Sequence, residues 1–143
     1  MCPGGRAVLD EFGDAWSIGF SPPRSGGLIC FINGSRNRYT GVGEISEISV
    51  PPRYRMQGIA DCLLRQAAQH LALKDTTQID AIIEPDLLNT WLMSWYLRKG
   101  FRRLPDRPSG HAQLTTTLQT LRQEFDLKCC LVMSSRELEA PSS

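Results

Sequence analysis

The run Val50-Pro51-Pro52-Arg53-Tyr54-Arg55-Met56-Gln57-Gly58-Ile59-Ala60 has residue types suited to holding an anion. An apolar segment stops at the two prolines, a turn follows, and an apolar helical pattern opens at Gly58. A helix start leaves backbone N–H groups unpaired, and the helix dipole adds partial positive charge there. Phosphate is the anion such a turn suits. Gly58 carries no Cβ to hold a ligand off the backbone, Ala60 keeps the next turn thin, and Arg53 and Arg55 add formal charge.

The elements that must position this turn can be read on either side of it. Upstream, Ala15–Phe20, Leu28–Ile32 and Val42–Val50 are apolar or alternating, and Asn33-Gly34-Ser35 is a hairpin signal, so three strands in an antiparallel meander are expected. Downstream, Ile59, Leu63, Ala67 and Leu71 recur every four residues, an amphipathic helix running to about Leu73. Thr77–Ile83 reads as a short strand. A second helix starting near Leu87 carries Leu88, Trp91, Leu92, Trp95 and Tyr96 at spacings of three and four and stops at Gly100. Phe101–Leu104 reads as a brief strand, Leu114–Phe125 as a third helix, and Lys128–Met133 as a last strand. The class expected is α/β of the α+β kind, a mixed and mostly antiparallel sheet with helices packed on it.

Length and composition bound the function. The 143 residues suit one domain, with 41% hydrophobic and 22% charged side chains. Sixteen Lys and Arg against fifteen Asp and Glu leave a net charge of +1, a poor basis for nucleic-acid binding, so no nucleic-acid partner is expected. Residues 51–110 hold nine basic and six acidic side chains, an excess of three, which suits a small anionic ligand. No apolar run is long enough to cross a membrane, and the first residues have no apolar core of a secretory signal, so a cytoplasmic protein is expected. The five cysteines, at positions 2, 30, 62, 129 and 130, include no C-x-x-C and are read as reduced thiols, Cys62 as a packed one. With only His70 and His111 beside them, no metal site is expected.

Arg55-Met56-Gln57-Gly58-Ile59-Ala60 resembles the acetyl-CoA signature Q/R-x-x-G-x-G/A of the GCN5-related N-acetyltransferase (GNAT) superfamily. A second element follows in the family's order: Asn89, Tyr96 seven residues later, then Gly100-Phe101, similar to N-x6-Y-x3-G-F. The resemblance spans residues 42–104. It implies a GNAT-like acyl-CoA N-acyltransferase fold in a single domain, 1–143. Residues 1–41 are the N-terminal strands, 42–104 the acetyl-CoA-binding core, 105–134 the C-terminal helix and strand, and 135–143 a tail.

It also implies roles. Backbone amides of Arg55, Met56, Gln57, Gly58, Ile59 and Ala60 would hold the pyrophosphate of coenzyme A. Ile48, Ser49 and Val50 would pair with the pantetheine arm as an extra strand would, the Ile48 amide facing the thioester oxygen. Asn89 would contact the pantetheine arm. Tyr96 stands where the family often places the acid that protonates the departing thiolate. The activity implied is direct transfer of acetyl from acetyl-CoA, a cosubstrate, to a primary amine on a small molecule or a protein. A protonated amine has no lone pair, so a base is needed, and Glu44 and Glu47 precede the turn. Glu44 is preferred, because it lies eleven residues before Arg55, the spacing of the catalytic glutamate in the family's histone-acetylating members.

The same residues have plainer readings. Tyr96 fits an apolar helix face, Glu44 and Glu47 a solvated strand, and Asn89 an early-helix polar position. Arg98, Lys99, Arg102 and Arg103 read as a solvated face. Family members begin with a strand and two helices that wall the acceptor side, whereas here the N-terminal region is short and reads as strands. That favours, as an alternative, a reduced acyl-CoA-binding module that senses or scaffolds; a separate alternative is a different fold whose turn holds some other phosphate ligand, RNA included. The short N-terminal region also leads to the expectation of a homodimer.

Overall fold

A computed structural model describes residues 4–27 and 30–131. The chain order is β1 (Arg6–Phe12), β2 (Ala15–Ser21), β3 (Cys30–Arg36), β4 (Gly43–Ser49), α1 (Ile59–Ala72), β5 (Gln78–Ile83), α2 (Leu92–Arg98), β6 (Arg102–Leu104), β7 (Ala112–Thr117) and α3 (Leu118–Leu131). Short 3-10 turns at Pro52–Tyr54 and Pro85–Leu87 precede α1 and α2. The strands form one sheet in the order β1-β2-β3-β4-β5-β7-β6. All neighbours are antiparallel except β4 and β5, which are parallel because α1 crosses between them. This is the mixed, mostly antiparallel α/β sheet expected.

The core forms where the apolar positions of successive strands share one face. Trp16, Ile18 and Phe20 lie opposite Gly34, Ile32 and Cys30, Ile32 lies opposite Ile48, and Ile45 opposite Ala81. All are buried. Helix α1 lays Leu63, Leu64, Ala67 and Leu71 on this layer, and Leu71 comes so close to Gly43 that a Cβ there would meet its methyl groups at 2.9 Å. The ammonium of Lys99, just past α2, reaches Asp61 of α1 at 2.6 Å and Glu124 of α3 at 3.9 Å, tying the three helices together. The opposite face presents Ser17, Asn33, Ser35, Glu44, Glu47 and Asp80, all half-buried or exposed.

Several expectations are corrected. The meander has four strands, because β1 precedes the three expected. Asn33-Gly34-Ser35 makes no hairpin turn but lies inside β3. Gly34 is needed there for space, since a Cβ would strike the Glu44 carbonyl and the Trp16 ring. Helix α2 begins at Leu92, with the 3-10 turn occupying the place near Leu87. The expected helix at Leu114–Phe125 is strand β7 as far as Thr117 and helix only from Leu118. Lys128–Leu131 belongs to α3 rather than to a last strand, and Val132-Met133 and the tail lie outside the described residues. Among the described residues no helix is long and apolar enough to cross a membrane.

Candidate functional site

The geometry begins with one extra residue in β4. Gly34 of β3 lies opposite Ile45, while Asn33 lies opposite Glu47, so Ser46 has no partner and forms a bulge. A bulge bends its strand and sharpens the local twist. Accordingly β4 pairs with β5 only at Gly43–Ile79, Glu44–Asp80 and Ile45–Ala81. From the bulge to Ser49 its paired neighbour is β3 alone, among the described residues, and the β5-side edge of Glu47, Ile48 and Ser49 is open. An extended ligand can add to such an edge through backbone hydrogen bonds. Beyond the bulge, Ile48 and Val50 take up the buried face.

The open edge leads into the turn before α1. Arg55 anchors that turn by donating from Nε to the Val50 carbonyl at 2.8 Å, while its guanidinium lies 5.4 Å from the Trp91 ring centre. Gln57 donates to the Arg53 carbonyl at 3.3 Å. Met56 (φ 66°) and Gly58 (φ 80°) both have left-handed backbone, with Gln57 between them. Such alternation of hand is the geometry in which successive amides converge on a concavity that suits an anion. Gly58 caps α1, and a Cβ built on it would meet nothing within 4 Å, so the space above the helix start is open.

That space is a cavity of about 370 Å³, lined by Val50, Tyr54, Arg55, Met56, Gly58 to Asp61, Trp91, Trp95, Arg98 and Lys99. Arg55 and Arg98 give it positive charge. Asp61 would oppose an anion there, but its carboxylate accepts hydrogen bonds from the Lys99 ammonium at 2.6 Å and the Trp95 indole N–H at 2.9 Å. The site therefore offers helix-start amides, net positive charge and two indole walls, a fit for a phosphorylated ligand with an extended arm.

The residues singled out from sequence are placed as follows. Ile48, Ser49 and Val50 follow the bulge. Val50 and the turn from Arg55 to Ala60, Gln57 excepted, line the cavity. Asn89 is exposed in the turn before α2 and does not line it. Tyr96 is 1% exposed and packs edge-on against Trp95 and Phe101, each at 5.0 Å between ring centres. It is not among the residues that line the cavity, and burial pushes its phenol above the usual range, which weakens it as an acid. The bulge also decides the facing of the carboxylates. An unbroken strand would send Glu44 and Glu47 to opposite faces, but Ser46 intervenes and both lie on the face away from α1. Glu44 is engaged by Arg107 at 3.1 Å and is half-buried, whereas Glu47 is exposed.

Lys99 is not on a solvated face, as its sequence context suggests, but buried in its ion pair, and Arg98 lines the cavity. Arg102 is exposed, and Arg103 pairs with Asp106 at 3.1 Å. Trp91 and Trp95 were legible as a helical stripe, but nothing in their spacing marks them as cavity walls. Cys62 is disulfide-bonded, against the reading of a packed thiol. Cys30 is a free thiol that burial pushes up. Among the described residues no group of three His, Cys, Asp or Glu could hold a metal ion.

The sequence matches no family model and no curated protein. Solved structures do match. PaiA N-acetyltransferase from Thermoplasma acidophilum, in complex with coenzyme A, superposes with a TM-score of 0.62 at 20% identity, over 73% of this chain and 61% of that one. Nourseothricin acetyltransferase gives 0.64 at 13% identity, over 82% and 86%. The ribosomal-protein-S18-alanine N-acetyltransferase of Escherichia coli gives 0.60 at 14% identity, over 76% and 72%. With its parted parallel pair, bulged fourth strand and glycine-capped helix, the chain has the acyl-CoA N-acyltransferase fold of the GNAT superfamily.

Proposed function

We propose that this protein is an acyl-CoA-dependent N-acyltransferase that moves acetyl from acetyl-CoA to a primary amine by direct transfer. The observation that carries the reading is the unpaired β4 edge running into the left-handed turn at Met56 and Gly58. One binds an extended arm and the other a pyrophosphate, and they are joined in a single path. PaiA N-acetyltransferase, crystallised with coenzyme A, shares the fold and supports the choice of ligand.

In this reading the turn from Arg55 to Ala60 holds the pyrophosphate, and Ile48, Ser49 and Val50 line the pantetheine arm. The Ile48 amide faces the thioester oxygen, stabilising the negative charge that builds on it, while Asn89, exposed and outside the cavity lining, is left without a role. The amine lone pair attacks the thioester carbon. A C–N bond forms, the C–S bond breaks, the amine gives up a proton, and the leaving thiolate gains one. Tyr96 is assigned the thiolate's proton on the N-x6-Y-x3-G-F element alone, since it is buried outside the cavity lining and burial makes its phenol a weaker acid. Glu47 takes the amine's proton, directly or through water. It is preferred to Glu44 because it lies beyond the bulge, beside the open edge, while the Glu44 carboxylate is held by Arg107.

A second reading, an acyl-CoA-binding module without turnover, is favoured by one observation. The tight β1–β2 turn at Gly13-Asp14 and the β3–β4 connection contain no helix to wall the acceptor side. Thiol release from acetyl-CoA, assayed against polyamines, amino sugars, lysine peptides and peptide N-termini, separates the two. Turnover with one amine class supports the enzyme. Saturable coenzyme A binding with no thiol release from any class supports the module.

A further inference from the structure

Among the described residues, strand β1 is an edge of the sheet and pairs with β2 alone. It is seven residues long, contains no Pro, carries charges of both signs in Arg6, Asp10 and Glu11, and exposes every side chain except Val8. Long edges are templates for pairing with another chain unless they are bent or covered, and charges along them block pairing except with a strand that presents the opposite charges. We propose that β1 pairs antiparallel with β1 of a second copy of the chain about a two-fold axis, in the register that sets Val8 opposite the partner's Val8.

The register follows from symmetry and charge. A two-fold axis normal to the sheet lays an edge strand against itself in the opposite direction and keeps like faces on like sides. Residues equally far from the centre then face each other. About Val8, Arg6 meets the partner's Asp10, and Asp10 meets the partner's Arg6, so two opposite-charge pairs form on one face. On the helix-bearing face Ala7 meets Leu9, and Leu9, which is 45% exposed in the single chain, gains an apolar neighbour. At the centre Val8 meets its own copy, a β-branched cross-strand pair. Centring on Leu9 instead would oppose Arg6 to Phe12 and Asp10 to Val8, which loses both charge pairs. Pairing Arg6 with Glu11 is not compatible with a two-fold axis of this kind, and Glu11 is already engaged by His70 at 3.1 Å and Lys74 at 3.7 Å. Main-chain hydrogen bonds and Leu9 supply the attraction, and the Arg6–Asp10 pairs select the register. The inference stands whether or not the chain transfers acyl groups.

Sedimentation of the full chain across the micromolar range tests it. Wild type is expected to dimerise. Arg6→Glu and Asp10→Arg should each place like charges opposite one another twice and raise the dimer dissociation constant about tenfold. The combined swap, Arg6→Glu with Asp10→Arg, should restore it. Both positions are exposed, and circular dichroism confirms that the variants stay folded. A wild-type monomer throughout the range, a dimer indifferent to either single change, or single-variant losses that the swap fails to recover would each overturn the proposal.

Discussion

The phenol of Tyr96 is a group whose environment and proposed task can be tested by the same substitution. Tyr96→Phe keeps the ring packing against Trp95 and Phe101 and removes only the hydroxyl. If Tyr96 is the proton donor, turnover should fall by roughly 10²–10⁴-fold with coenzyme A affinity little changed. Unaltered turnover would leave Tyr96 a packing residue. Burial raises the phenol above its ordinary value of 10.0. The folded chain therefore keeps the proton at alkaline pH where the unfolded chain loses it, and stability should fall as pH climbs past the ordinary phenol value. In Tyr96→Phe this part of the alkaline decline should be absent from denaturant titrations. The carboxylates divide by a second measurement. Glu47→Gln should lose turnover at pH 7 and recover part of it at higher pH, where neutral amine accumulates, while Glu44→Gln should do less. The reverse order would return the base to Glu44, and pH profiles unchanged in both would remove the strand from the proton transfer.

At the scale of elements, the Ser46 bulge does most to shape the site, and it could not be read from the sequence. A bulge is a mismatch of counts between two strands, so it exists only once β3 is laid against β4. The turn from Arg55 to Ala60 was legible, because its prolines, glycine and following four-residue apolar spacing are local. Helix α1 was legible for the same reason and ends within a residue of its expected limit. Strand β7 was misread because Leu114, Leu118, Leu121 and Phe125 continue a helical spacing straight across the boundary between strand and helix. The three threonines at 115, 116 and 117, β-branched and consecutive, were the signal against it. Gly34 was misread because Asn-Gly is a strong turn signal, whereas here the missing side chain is required by the Glu44 carbonyl and the Trp16 ring. Gly34→Val should therefore destabilise the fold by roughly 3 kcal/mol, at the upper end of overpacking costs, since both obstacles are rigid. Thermal unfolding that matches wild type would show that β3 and β4 can part there without cost.

Across the whole molecule, the sheet is dressed unequally. The face bearing α1 holds the core, while the other presents polar side chains, including both candidate bases. This inequality follows from the N-terminal half, where the chain spends its length on four strands and the β1–β2 and β3–β4 connections carry no helix. The proposed ligand path runs along this frame: the β4 edge, the turn between β4 and α1, and the cavity lined by Trp91, at the start of α2, and Trp95 within it. The claim most directly open to measurement is that this path holds coenzyme A. Calorimetric titration of coenzyme A into wild type and into Gly58→Trp, with circular dichroism to confirm the fold, reads it directly. The account predicts saturable one-to-one binding to wild type. It also predicts affinity lower by at least about tenfold in the variant, whose side chain fills the space above the α1 start. Absence of binding to wild type, or equal affinity for the two proteins, would contradict it.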